Sequence, residues 1–314
     1  MKKVSIIIPV YNRANIVRRT LNTVLEQTYR PIQLILVDNF STDDTSVVLN
    51  QFKIDNNSPD FEIIVTQEKM RTASAARNRG RQFATGDYLM FFDSDDLMDR
   101  RLVQKYVSAF ESAPQTVDIV ISRRNMVNEF GEKKAMPIFK KDLIANHILH
   151  SVLATQAFCA RHDFIRNIEW NNSILQWDDF EYGLRLLLAK PVVGYLEGKP
   201  RVDVIYGGKD SITGTSFSAC HGKWEIALHY MNLDIANSSL KNKKRYSDLL
   251  SYRLLDLAAH YHREGHPEFA KPACQKAYSK LNDKWIYRKT MPWLFKRIVA
   301  DKRGSARIAR WIIK

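Results

Sequence analysis

Acidic residues are scarce against basic ones in this 314-residue sequence, 34 Asp and Glu against 48 Lys and Arg, for a net charge of +14. That balance fits phosphorylated substrates, an anionic lipid surface or nucleic acid. There are only three cysteines, Cys159, Cys220 and Cys274. They are far apart and odd in number, which excludes a disulfide framework and any zinc spacing and fits a reducing compartment such as the cytoplasm. No apolar run approaches the ~18 residues that a membrane-spanning helix requires. The opening MKKVSIIIPVYN sets lysines before an apolar run, as a signal peptide does, but Pro9, Tyr11 and Asn12 interrupt it before any small-residue cleavage site. The motifs GxGxxG and GxxxxGK[ST] are missing, so neither a dinucleotide-binding turn nor a P-loop is supported. No HExxH pair is formed by the eight histidines, and there is no strict internal repeat.

What is present centres on GDYLMFFDSDD, Gly86 to Asp96. The short apolar run Tyr88 to Phe92 reads as a strand buried on both faces. It delivers Asp93, Asp95 and Asp96 at its C-terminal end, where open α/β sheets bind their ligands. Asp93 and Asp95 are two apart, so in extended chain they share a face and can address one ion. A few hard oxygen ligands suit Mg²⁺ or Mn²⁺ shared with phosphates. Asp96, before LMDRRLVQKYV, reads instead as a helix cap or a support for its neighbours.

Strand and helix patterns alternate around this segment. Strands are expected at Val4–Pro9, Gln33–Val37, Phe61–Thr66 and Asp118–Ser122. Helices are expected after Asn15 as a cap, after a Ser41–Asp44 capping box, over Ser74–Ala84 with Gly86 as the stop, and near Arg101–Phe110. This predicts βαβ units and a doubly wound, mostly parallel sheet. Further on, Thr155–Ala160, Val192–Leu196 and Val202–Tyr206 read as strands and Trp177–Leu188 as a helix opened by carboxylates. Beyond Gly222 the period is helical, with turns near Asn237, Gly265–Pro267 and Pro292. The final stretch, Lys284 to Lys314, has Asp301 as its only acid among many Lys and Arg, with Trp285, Trp293, Phe295, Trp311 and Ile312 interleaved. Such basic amphipathic helices suit an anionic membrane interface, and equally a basic face packed on the rest of the protein. No recognised nucleic-acid module accompanies the charge.

Four segments then stand together: SIIIPVYNR from Ser5, VDNFSTDDT from Val37, ASAARNRGRQFATGDYLMFFDSDD from Ala73, and WDDFEYGLRL from Trp177. In this order and spacing the chain resembles the family 2 inverting glycosyltransferases over roughly its first two thirds. The resemblance implies the GT-A nucleotide-diphospho-sugar transferase fold, with a catalytic domain over residues 1–214 and a helical region over 215–314. The nucleotide-binding half would span about 1–122 and the acceptor half about 123–214. Pro9 and Tyr11 would line the nucleotide base, and Asp38 would accept a hydrogen bond from it. A uracil N3–H satisfies Asp38, which favours a UDP-sugar donor. Arg77, Asp93 and Ser94 would join the donor site, and Asp95 with Asp93 would hold Mn²⁺ or Mg²⁺. Arg71, and more loosely Lys69, are candidates for phosphate contact. Asp179, or its neighbour Asp178, would be the general base that deprotonates the acceptor hydroxyl, and Trp177 an apolar wall for acceptor sugar.

Three positions depart from the family pattern. Asn39 stands where a second Asp is common, and Asp178 replaces a frequent Glu. Many relatives carry a metal- or diphosphate-holding His where this chain reads Tyr206–Gly207–Gly208–Lys209. Lys209 can neutralise a diphosphate directly, and His221 is a distant substitute. The reading is of an enzyme that moves a sugar from a nucleotide-sugar to a glycan or lipid-linked glycan in cell-surface polysaccharide synthesis. It would work in the cytoplasm at the inner face of the membrane, with the basic tail as a peripheral contact. A nucleotidyltransferase, releasing pyrophosphate, and a non-catalytic nucleotide-sugar-binding protein are the alternatives.

Overall fold

The computed structural model describes residues 1–207, 216–280, 285–300 and 305–313. Contacts divide the chain into two compact units. The first draws on Met1–Ile138, Leu153–Leu175 and the stretch from Lys190 through the last strand. The second draws on Phe139–Val152, Gln176–Ala189 and the described residues from Ser216 onward. This differs from a single cut at residue 214, because two excursions of the chain bury their apolar faces with the C-terminal helices.

The first unit opens with β1 (Val4–Val10), α1 (Val17–Leu25), β2 (Ile32–Asp38), α2 (Thr45–Asn56), β3 (Phe61–Gln67), α3 (Ala73–Arg81) and β4 (Tyr88–Phe91). It continues with β5 (Leu97–Met98), α4 (Leu102–Glu111), β6 (Ile119–Ile121), β7 (Arg124–Val127) and β8 (Lys133–Ala135). Within the second unit's first excursion lies α5 (Leu143–His150); β9 (Phe158–Arg161) and α6 (His162–Ile165) then return to the first. The second excursion carries α7 (Asp178–Leu188), after which β10 (Val193–Tyr195) and β11 (Val202–Ile205) complete the first unit.

Among the described residues, seven strands form one sheet in the order β10-β6-β9-β4-β1-β2-β3. The run from β4 to β3 is parallel, and β9 is antiparallel to both its neighbours. β2, IQLILVD, is buried at every position, as a parallel strand covered on both faces should be. Pro9 fits inside β1 because β4 has already ended there: the pairing of β1 with β4 stops at Ile7↔Phe91. Its missing N–H therefore falls where the β1–β4 ladder ends. A second sheet, β5-β11-β7-β8, was not anticipated; its strands are two to four residues long, too short for a period-2 signal.

α3 lies close to the sheet because Gly80, which faces it, has no side chain. A Cβ on Gly80 would stand 2.4 Å from Ile7 Cγ2 and 3.2 Å from Val37 Cγ2. Just after it, a Cβ on Gly86 would stand 2.6 Å from the Ser5 backbone nitrogen. Gly86 N instead donates to Ser5 Oγ, which donates to Gln33 Oε1.

Several expected helix starts are corrected. α1 and α2 have Ile16 and Asp44 at their N-caps with no side-chain cap bond, so neither Asn15 nor a Ser41–Asp44 box caps them. Ser41 Oγ accepts from Asn12 N instead, and Asp43 takes Thr45 N. Asp96 does not cap α4, which begins beyond Arg101. The strand expected from Thr155 starts at Phe158, after a short 3₁₀ turn.

The second unit packs α5 and α7 with α8 (Lys223–Asn237), α9 (Lys243–Arg263), α10 (Pro267–Lys280), α11 (Trp285–Val299) and α12 (Ser305–Ile312). Its core joins Ile148, Phe180, Leu184, Met231, Leu255 and Leu294. Pro292 lies inside α11 and marks no turn. Met291, Leu294 and Ile298 put one face of α11 into this core, while Trp293 is 49% exposed. Among the described residues no helix is long and apolar enough to cross a membrane.

Candidate active site

The parallel strands set three chain segments on one rim of the first unit's large sheet. β1 and β2 end level, with Val10 paired to Asp38. Asn39 N donates to Val10 O at 2.7 Å. Pro9 and the 43%-exposed Tyr11 therefore lie beside the end of β2. Asp38 is buried; its Oδ1 accepts from Ser41 N at 3.0 Å and its Oδ2 from Gln67 Nε2 at 3.3 Å. Each oxygen keeps a further lone pair for a ligand N–H. Asn39 is tied up elsewhere: its amide donates to Glu68 O and Met70 O. The departure at this position thus serves to hold the 67–70 turn. Arg71, which follows, sets its guanidinium 5.4 Å from the Phe40 ring centre.

β4 delivers the carboxylates. Phe92 N still bonds Ile7 O, and the next four residues leave the ladder. Asp93 Oδ1 accepts from Arg77 Nη2 at 2.8 Å, and its Oδ2 from Gln156 Nε2 at 2.5 Å. Arg77 is buried, stacked 4.3 Å over the Trp170 ring. The structure thus places Arg77 on Asp93, as a support for that carboxylate. Asn78 braces the same place, exchanging hydrogen bonds with Trp170 through Trp170 N and Trp170 O. Ser94 is buried, and its carbonyl accepts from Thr20 Oγ1 at 2.9 Å.

Asp95 has different partners from Asp93. Its side chain is 26% exposed, with Arg13 Nη2 4.0 Å from Oδ2. Arg19 Nη2 holds its carbonyl at 3.0 Å. Burial first, and then the neighbouring Asp93 charge, raise its carboxyl above the usual range, more than Arg13 and Arg19 offset. Asp96 is 1% exposed and is pushed up further, by burial and then by Asp93 and Asp95. It accepts from Ile205 N at 2.9 Å and from Gln156.

One glutamine thus bridges two of the three carboxylates. Sequence reading missed Gln156, Trp170, Arg13 and Arg19. Arg13 stood inside a quoted segment without a role. Gln156 gave no signal, because its partners are about sixty residues away in sequence.

The donor set suits a hard divalent cation. Asp93 and Asp95 supply carboxylate oxygen, and crowding makes a cation there electrostatically favourable. Among the described residues no group of three or more His, Cys, Asp or Glu side chains is arranged to hold a metal. Two protein ligands with the rest from phosphate and water is the usual Mg²⁺ arrangement. Lys209 lies outside the described residues.

Trp177, Asp178 and Asp179 belong to the second unit. Both aspartates and Glu181 fall in the first turn of α7, where the helix dipole favours negative charge. Asp178 Oδ1 accepts from Asp179 N at 3.0 Å. His147 Nε2 donates to Phe180 O at 2.7 Å and pins this turn to α5. Trp177 adopts a left-handed backbone, φ 59°. Its ring meets Phe180 and Trp224 edge-on, at 5.7 and 5.0 Å, and the Arg253 guanidinium covers it at 5.0 Å. These contacts make it a core aromatic in large part. His221 stacks on Phe269 at 3.9 Å, also in the second unit.

Comparison with known proteins bears on this arrangement. The sequence profile described as Glycosyl transferase family 2 matches residues 5–169. The chain is 24% identical over 207 residues to the amylovoran biosynthesis glycosyltransferase AmsB of Erwinia amylovora, covering 61% of this chain and 68% of that one. It is 39% identical over 97 residues to the β-1,3-glucosyltransferase WfaP of Escherichia coli, named for UDP-Glc and an α-D-GlcNAc-diphosphoundecaprenol acceptor, covering 31% of this chain and 36% of that one. The chain spans as little as 14% of the length of some curated relatives, as with GlyA of Streptococcus pneumoniae. Among solved structures, residues 1–349 of S. aureus TarS with UDP superpose with a TM-score of 0.63 at 15% identity, over 98% of this chain and 90% of that one. A Pyrobaculum calidifontis mannosyltransferase with GDP-Man and Mn²⁺ gives a TM-score of 0.56 at 16% identity, over 99% and 84%.

Proposed function

Because the chain belongs to glycosyl transferase family 2, we propose that it is an inverting glycosyltransferase that moves one sugar from a UDP-linked donor to a glycan or lipid-linked glycan. The fold is GT-A, α/β with a large, mostly parallel sheet and a helical C-terminal region. The observation that carries the reading is the rim itself: Asp38 at the end of β2 and the Asp93–Asp96 segment beyond β4, on parallel strands separated only by β1.

Asp38, with Pro9 and Tyr11 beside it, would receive the base, and uracil N3–H suits its oxygens. Asp95, aided by Asp93, would hold Mn²⁺ or Mg²⁺, which when bound stabilises the charge that grows on the leaving diphosphate. Arg77 and Gln156 fix Asp93 so that its remaining lone pairs face the ligand in one orientation. Asp179, with Asp178 beside it, would take the proton of the acceptor hydroxyl as its oxygen attacks the anomeric carbon. A single displacement of this kind inverts configuration. Arg71 and Lys209 remain candidates for diphosphate contact, and Trp177 for the acceptor wall.

The relatives' names support a role in cell-surface polysaccharide synthesis, amylovoran in one and an undecaprenol-linked glycan in another. An anionic lipid surface would meet the outward side of α11, where Arg297 stands 5.2 Å from the exposed Trp293 ring.

The test is product analysis with Mn²⁺, UDP-, GDP- and dTDP-sugars and a pool of glycan and lipid-linked acceptors. Release of nucleoside diphosphate with inversion at the sugar supports the reading. Release of pyrophosphate would transfer it to nucleotidyl chemistry, and binding without turnover would leave only a sensor. Asp95→Asn should abolish transfer and weaken nucleotide binding in the presence of metal, while Asp179→Asn should abolish transfer and spare donor binding.

A further inference from the structure

Arg13 carries no role in the scheme above, yet the rim is built to hold it. Asn12 adopts φ 50°. It donates from its backbone to Ser41 Oγ at 3.0 Å and accepts Thr42 N on Oδ1 at 2.8 Å. Arg13 N then donates to Thr45 Oγ1 at 2.8 Å. The segment from Ser41 to Thr45 thus holds Asn12 and the backbone nitrogen of Arg13.

Its side chain runs to the carboxylate segment. Nη1 contacts Asn12 O at 3.4 Å, and Nη2 lies 4.0 Å from Asp95 Oδ2. That distance is an ion pair but too long for a hydrogen bond. The two side chains are 16% and 26% exposed, so the pair opens to a ligand. The backbone of Asp95 is anchored separately, through Arg19 on its carbonyl, and its carboxylate faces Arg13.

The geometry points to Arg13 as a diphosphate-binding residue: its guanidinium flanks the metal carboxylate and donates to the same phosphates that a cation on Asp95 would bind. The assignment rests on the donor reading proposed above. Arginine suits the position because its planar fork matches two phosphate oxygens, which a lysine cannot do. A consequence follows for the order of binding. Without nucleotide, Arg13 and the metal are two cations at one carboxylate and oppose each other. With nucleotide, both are neutralised by the diphosphate. Arg13 therefore makes metal and diphosphate binding cooperative, a reciprocal coupling.

The experiment is calorimetric titration of wild type, Arg13→Met and Arg13→Lys with Mn²⁺ alone, then with UDP, UMP and uridine at saturating Mn²⁺. In Arg13→Met, UDP affinity should fall about tenfold or more, the loss of one charged hydrogen-bonding partner. Uridine affinity should stay unchanged, and Mn²⁺ should bind the free protein as tightly as before or more so. Arg13→Lys should regain part of the UDP affinity. Unchanged UDP affinity in Arg13→Met overturns the proposal. So does an equal loss for UDP and uridine, which would mark Arg13 as a scaffold for the loop. A wild-type protein that binds no UDP refutes the donor reading itself, and with it this assignment.

Discussion

Replacing Gln156 with leucine tests the carboxylate network without opening a large cavity, since the two side chains are close in volume. Gln156 is 5% exposed, so water cannot take its place. Its amide donates to Asp93 at 2.5 Å and to Asp96. The bond to Asp93, which Arg77 also engages, is worth about 1.5–3 kcal/mol, and the one to Asp96, held toward its neutral form, about 0.5–1.5 kcal/mol. After substitution, Asp93 keeps Arg77 at 2.8 Å and Asp96 keeps Ile205 N at 2.9 Å. Two acids then face each other with no donor between them. The expected loss is about 2–4 kcal/mol of folding stability. Urea unfolding would read it as a lower midpoint at unchanged slope. A loss under about 0.5 kcal/mol, the usual range of a surface substitution, would refute the argument. It would mean that both carboxylates turn to water at no cost.

Other expectations rest on different parts of the structure. Glu181 is buried against Arg185, at 2.5 Å, and near Asp234; burial outweighs the arginine, Asp234 adds to it, and the carboxyl is raised to about 7. The folded state therefore binds the extra proton, and this group's contribution to stability is full below about pH 4.5 and is lost as pH rises toward about 7. Stability of Glu181→Gln minus that of wild type should accordingly grow over that window, and a flat difference curve would count against the buried pair. Gly86→Ala would drive a Cβ to 2.6 Å from Ser5 N and 2.9 Å from Lys3 O. Backbone cannot yield as a side chain does, so a loss of about 1–3 kcal/mol or more is expected by thermal unfolding, and a neutral result would mean that β1 and the 85–87 turn can part. For the lipid surface, Trp293→Ala with Arg297→Gln should reduce flotation with anionic vesicles but not with neutral ones. Equal flotation would remove that contact.

Legibility in the sequence followed how local each signal was. β1, β2 and β4 could be read because strands covered on both faces need unbroken apolar runs, and their ends carry polar residues. α3 was legible for a related reason: a helix that must lie within van der Waals reach of Ile7 has to be made of Ala, Ser and Gly on that face. Helix starts were read less well. Asn15 and Ser41 are good capping residue types, but both fall in loops that must knit two strand ends together. There the Ser41 hydroxyl serves Asn12 rather than a helix. Gln156 and Trp170 were invisible, since a lone glutamine or tryptophan carries no period and acquires its partner only when distant segments meet.

The sequence by itself determined the alternation of strands and helices, the cluster of acids beyond the fourth strand and the family, because these depend on composition over a few consecutive residues. Tertiary structure decided what each acid faces. Asp93 is held by Arg77 and Gln156, Asp96 is closed in by Ile205, and Asp95 is left beside Arg13. It also decided that α5 and α7 side with the C-terminal helices, because burial of an apolar helix face depends on which surface lies opposite it. Charge and burial at a carboxylate are sums over neighbours in space, and chain order does not contain that sum.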